Sequence, residues 1–227
     1  MDFTLEDDID IVFDVGACHG ESVFRFPSSK LVYCFEPSDY NREILEERHK
    51  GDRRVKSYPY AISDVGGKRH FNFYRGYAYC SFHDFDTDGE FWNFIKHHDY
   101  EGIEEIDHEM NNWNHDVDTI RLDHFMDTQG IEYIDYLKID TQGHDLNVIK
   151  SLGDKINSVK YIEFEVQLKP LYKDTPRKEE FLKFFSNYDF DLVHEECNYE
   201  LVEDYEVNMI FKNRKTRVVD YSFGISG

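Results

Sequence analysis

Positive charge is what this sequence most lacks. Lys and Arg together number 26 against 47 Asp and Glu, a formal net charge of −21 over 227 residues. No basic stripe interrupts that excess. Such a surface repels a phosphate backbone and an anionic lipid face alike, so nucleic acid and membrane surfaces are not expected partners. Long apolar runs are also missing. None approaches spanning length, and the first residues, MDFTLEDD, are acidic rather than basic. Neither a spanning helix nor a signal peptide is expected, which points to a cytoplasmic protein. The four cysteines (Cys18, Cys34, Cys80, Cys197) lack pairing or ligand spacing, and read as reduced thiols of an intracellular chain. Repeats and low-complexity tracts are absent.

What is present argues for a packed fold. The hydrophobic fraction of 40% and aromatic fraction of 16% exclude disorder. The length suits one large domain, residues 1–227, with a core over about 9–213. Because the first strand follows so closely on Met1, the chain is also compatible with one module of a longer protein. Oligomeric state cannot be read from it.

Apolar runs at 9–14, 30–35 and 55–60 read as the first strands, and 134–140 and 159–166 as later ones. Helical stretches lie between them, at Ser38 to Gly51, at 143–153 and at 176–188. Segments 66–75 and 117–123 alternate as hairpin strands do, and FDLVHE and VNMIFKN end the chain as an antiparallel pair. This order predicts a doubly wound, mostly parallel α/β sheet. One acidic stretch, 84–116, holds both tryptophans and His97, His98, His108 and His115. It reads equally as a lid over a substrate or as a solvated insertion, with Phe91, Trp92, Phe94 and Trp113 available to stack on a ligand or to fill a core. Its histidines lack metal-ligand spacing.

The chemistry gathers at the strand ends. In FDVGACHG, glycines at 16 and 20 let backbone approach a ligand closely, and Asp14 could accept a hydrogen bond from a cationic amino group. The spacing is G-x-x-x-G, so the three-glycine pyrophosphate grip of a dinucleotide fold is incomplete. Glu36 ends the second apolar run about twenty residues later, where an α/β sheet holds ribose hydroxyls. Asp64 follows the third strand at the same edge, as a possible adenine acceptor or a turn former. Asp140 ends YLKID, with His144 one turn further, an imidazole whose ordinary pKa suits proton removal from a hydroxyl. Lys138 within an apolar strand needs a counter-ion, and Glu163 or Glu165, on one face of the next strand, is its natural partner. These acids could also collect a divalent cation, though spacing fixes no ligand set.

The series FDVGACHGES, FEPSDYNREIL, AISDVGG, VDTIRLDHF, IDYLKIDTQGHDLNVIKSL, YIEFEV and NMIFKN resembles, in order and spacing, the FkbM family of S-adenosylmethionine-dependent O-methyltransferases. The resemblance implies a class I methyltransferase (Rossmann-like) sheet of seven strands, the last antiparallel. It implies S-adenosylmethionine contacts at Asp14, Gly16, Gly20, Glu36 and Asp64, with Ala17, Cys18, Pro37, Ser63 and Asp140 beside them. It also implies methyl transfer to a hydroxyl, commonly on a sugar or glycan, with Asp140, His144, Lys138 and Glu165 as catalytic candidates and no assigned metal. Two departures stand out: Cys18 where the family has Asn, and Gln142 where it has an acid. A cofactor-binding module without turnover, and an NAD-dependent oxidoreductase on the same sheet, are the competing readings.

Overall fold

The computed structural model describes residues 8–74, 77–97, 115–197 and 204–215. Seven strands form one sheet: β1 (Ile11–Val15), β2 (Leu31–Phe35), β3 (Val55–Tyr58), β7 (Ile134–Ile139), β8 (Val159–Gln167), β9 (Phe190–Glu196) and β10 (Glu206–Asn213). Their order is β3-β2-β1-β7-β8-β10-β9. Every neighbouring pair is parallel except those of β10, which runs antiparallel to both β8 and β9. This is the expected class I architecture, with the last strand inserted and reversed. A smaller sheet of β4 (Ala61–Ile62), β6 (His115–Ile120) and β5 (Gly67–Phe71) packs the hairpin segments together.

Period-two alternation builds two cores from one set of strands. Phe13, Phe35, Leu137, Ile162 and Phe164 face one cluster, which also takes Phe125 and Met126 of α3 (Leu122–Gln129), Val148 and Ile149 of α4 (Asp145–Lys150), and Phe181 and Phe185 of α5 (Lys178–Phe185). Val12, Val32, Cys34 and Tyr136 face the other, with Val23, Phe26 and Leu45 of α1 (Asp39–Arg48). The third strand stops earlier than its apolar pattern suggests. Pro59 cannot donate to a ladder, and Ala61–Ile62 leaves for the small sheet.

Of the acidic stretch 84–116, residues 98–114 lie outside the described residues, and with them His98, His108 and Trp113. The described part holds α2 (Glu90–His97). Its Phe91 and Trp92 are buried against Phe85, Leu171 and Tyr172, so these rings are core and cannot stack on a ligand. The cause is the spacing of Phe91, Trp92 and Ile95, which makes one apolar helix face.

Candidate active site

The turn after β1 is pressed against the end of β7. The Asp140 amide donates to Val15 O at 2.9 Å, and Gly16 sits at φ 77°. A Cβ there would stand 1.8 Å from the Asp140 carbonyl oxygen, so only glycine fits. The Gly16 and Ala17 amides both donate to Phe35 O, at 3.0 and 3.1 Å, which ties the turn to the end of β2. Cys18 adopts φ 47°, unusual for a residue with a side chain, and this conformation aims its amide at Glu36 Oε2, 2.8 Å away. Gly20, also left-handed, packs under His49, whose Nε2 donates to the Gly20 carbonyl at 2.8 Å.

Glu36 is thus held through both oxygens, since Ser38 N–H donates to Oε1 at 2.8 Å. The same Ser38 caps α1 by accepting from the Asn41 amide at 3.3 Å. Burial pushes the Glu36 carboxyl up to about 7, although the Ser38 and Cys18 amides pull the other way. Its remaining lone pairs face a crevice of about 120 Å³. Gly16, Cys18, Glu36, Pro37 and Asp140 line that crevice, together with Phe35, Tyr60, Ile62, Phe71 and Phe82. Apolar walls with a few polar groups at one end are what a nucleoside site offers. The Cys18 and Cys80 thiols also line it. Burial pushes each to about 12, so neither is a nucleophile.

Behind this wall the charges are arranged differently from the sequence expectation. Lys138 pairs with Asp14 Oδ1 and Asp140 Oδ2, both at 3.4 Å, rather than with a glutamate of β8. Burial alone would lower the ammonium's pKa, but the two aspartates outweigh it and hold it above its ordinary value. Glu163, the cross-strand neighbour of Lys138, is claimed from the other side by Arg25, whose fork donates at 2.9 and 2.6 Å, and by the Tyr136 hydroxyl. Asp14 is buried, engaged by Ser22 as well as Lys138, and does not line the crevice. Asp140 does, and Gln142 Nε2 donates to its Oδ1 at 2.9 Å.

His144 is not a surface imidazole. It is only 2% exposed, and burial together with the His83 and Arg69 charges lowers it to about 3. The expectation of an ordinary pKa therefore fails, because the ring is packed inside the fold against Phe82 and His83. His83 Nδ1 donates to Lys173 O at 3.1 Å, so its Nε2 accepts from His144 Nδ1 at 3.4 Å, and His144 Nε2 lies 3.0 Å from the Ser63 hydroxyl oxygen. Ser63 is fully buried and outside the crevice lining. Asp64 is also absent from that lining. Burial works against its charge, but Asn147 and Ser63 donate to its Oδ1 and hold its pKa below the ordinary value. Glu165, near the carboxyl end of β8, is not in the crevice lining, and burial and the neighbouring Glu206 carboxyl push it well above its ordinary range.

Sequence reasoning passed over Asn41, Tyr60, Ile62, Phe82 and Cys80 as wall residues. Asn41 alone had a local signal, three residues after the helix cap. The others arrive by the small sheet's folding over the strand ends. Among the described residues no three His, Cys, Asp or Glu side chains gather as a metal site, and no helix is long and apolar enough to cross a membrane.

The family described as "Methyltransferase FkbM domain" matches residues 14–201. A curated relative, 2-O-methyltransferase NoeI of Sinorhizobium fredii (strain NBRC 101917 / NGR234), is 26% identical over 175 residues, covering 72% of this chain and 65% of its own. The chain therefore spans just under two thirds of that relative's length. A crystal structure of Methyltransferase FkbM from Methylobacillus flagellatus KT superposes with a TM-score of 0.54 at 14% identity, over 92% of this chain and 44% of that one. At that identity the likeness concerns the fold.

Proposed function

Because the chain belongs to the FkbM methyltransferase family, we propose that it binds S-adenosylmethionine in the Gly16–Glu36 crevice and methylates a hydroxyl oxygen of a sugar or glycan. Glu36 carries the reading. Its oxygens are oriented by the Cys18 and Ser38 amides at the crevice wall, with lone pairs left to accept from a ribose diol. Phe35, Ile62 and Phe71 offer the apolar surface an adenine needs. The missing middle glycine favours a ligand without a pyrophosphate.

Bound S-adenosylmethionine supplies a methyl group already activated on a sulfonium. The chain's own task is to align the acceptor oxygen and take its proton. Asp140 is the side chain placed for that work: it lines the crevice, its side chain is 38% exposed, and Gln142 and Lys138 fix its two oxygens. Lys138 is a positioning residue, since its ammonium lies against Asp14 and Asp140 rather than in the crevice lining. The 2-O-methyltransferase relative supports oxygen as the acceptor atom. Incubation with methyl-labelled S-adenosylmethionine and a panel of sugars is the test. Label on a sugar hydroxyl is the expected result, and failure to bind the cofactor at all overturns the proposal.

A further inference from the structure

Beside the crevice, and sharing Phe82 with it, a more polar cavity of about 450 Å³ opens at the edge of the small sheet. Arg69, Asn72, His83 and Lys173 line it, along with the exposed Asp84 and Asp174. In a chain with nearly two acids for each base, cations ordinarily find a carboxylate. Arg25 has Glu163, Arg54 has Asp52, Arg121 has Asp123, and Lys155 has Asp127. Arg69 and Lys173 are among those that do not, and they stand at one cavity. Among the described residues, neither has a carboxylate within ion-pair distance.

The Arg69 environment explains why this matters. The guanidinium is half-buried, lies 4.5 Å over the Phe82 ring, and spends Nη1 on Ser63 Oγ at 2.6 Å. The rest of its donor fork makes no hydrogen bond within the described residues. Burial and the nearby Arg69 charge both lower the pKa of His83 and of His144. The rings therefore stay neutral and can donate or accept hydrogen bonds without adding charge. Asn72 donates to Asp84 Oδ1 at 3.2 Å, which keeps that acid at the cavity rim. A half-buried cation with an unused fork is a site suited to a planar anion, since guanidinium donors match carboxylate geometry in pairs.

The geometry points to this cavity as the acceptor subsite for an acidic sugar, with the sugar's carboxylate on the Arg69 fork and Lys173 and its hydroxyls donating to Asp84 and Asp174. This inference rests on the sugar-acceptor reading, and names the class of sugar. It differs from a neutral-sugar site in the charge it demands, and the −21 background makes that demand selective, because stray anions are repelled elsewhere.

The test is a calorimetric titration of the full chain, without S-adenosylmethionine, using methyl glucuronide and the uncharged methyl glucoside. The glucuronide is expected to bind about tenfold or more tightly than the glucoside. Arg69→Gln should weaken the glucuronide by about 10- to 100-fold and leave the glucoside unchanged. Arg69 also supports Ser63, so Lys173→Ala, an exposed side chain with no ion pair, serves as the second variant, with a loss of about threefold. Equal affinity for the two glycosides, or unchanged glucuronide binding in both variants, overturns the assignment. Cofactor binding is measured separately, so failure of this subsite and failure of the methyltransferase reading are distinguishable.

Discussion

The crevice and the polar cavity beside it are built in different ways. The cofactor side is made of backbone over a short stretch of sequence: Gly16, Cys18, Glu36 and Ser38 fix one another through amide hydrogen bonds and left-handed turns. The cavity proposed for the acceptor is made of side chains brought from far apart. Arg69, Phe82, His83, His144 and Lys173 meet only because β5 and β6 fold over the strand ends. A backbone-built site is rigid and specifies a shared ligand. A side-chain-built site can be altered one residue at a time.

Substitutions separate the two sides, and the largest effect falls on the turn. Gly16→Ala puts a methyl group 1.8 Å from Asp140 O at a positive φ. A loss of about 3 kcal/mol or more in denaturant unfolding is expected, with cofactor binding abolished. Asp140→Asn should lower the rate of methyl transfer by about 10²- to 10⁴-fold while changing the cofactor dissociation constant by less than about threefold. A comparable loss of both would move Asp140 from the acceptor to the cofactor side. Glu36→Gln reverses that pattern, weakening the cofactor by about 10- to 100-fold with a smaller effect on turnover at saturation.

The smallest effect is on pH dependence of stability, and its direction follows from the buried groups. His144 binds its proton at about 3 when folded, against an ordinary value of 6.5, so the unfolded chain gains protons first as pH falls. Stability tied to His144 is complete above 6.5 and is lost as pH drops toward 3. Glu36 and Asp145, each pushed to about 7 by burial, act oppositely: their contribution is present at low pH and is lost as pH rises toward 7. His144→Asn should cost about 1–2 kcal/mol at neutral pH, by removing the Ser63 and His83 hydrogen bonds. Below 6.5 its deficit should shrink by up to about 1.4 kcal/mol per pH unit, read from urea unfolding across pH. A constant deficit would mean that His144 is not held neutral.

The same contrast explains what could be read from the sequence. The sheet was legible because its central strands are buried on both faces and stand out as apolar runs, and the Gly16–Glu36 pair because its spacing is local. The third strand was misjudged at its end, since β4 continues the same apolar texture in another sheet. Lys138 was rightly marked as needing a carboxylate, but its partner depended on register. It sits directly between Asp14 and Glu163, and Arg25, 138 residues from Glu163, decides the outcome by claiming that acid first. His144 was misplaced because nothing in HDLNVIK shows that Phe82 and His83 fold over it. Long-range closure of this kind leaves no periodic trace.

The central claim is a nucleoside held by the Glu36 carboxylate beside the Gly16 turn. Calorimetric titration of the wild-type chain and Glu36→Gln with S-adenosylmethionine, on either side of the Glu36 value of about 7, tests it most directly. Ribose hydroxyls donate to the ionised form, so bound Glu36 holds its proton less tightly than free Glu36. Wild-type affinity should fall as pH drops below about 7, while Glu36→Gln binds more weakly and without that slope. Equal affinities and parallel pH profiles for the two proteins would contradict the claim.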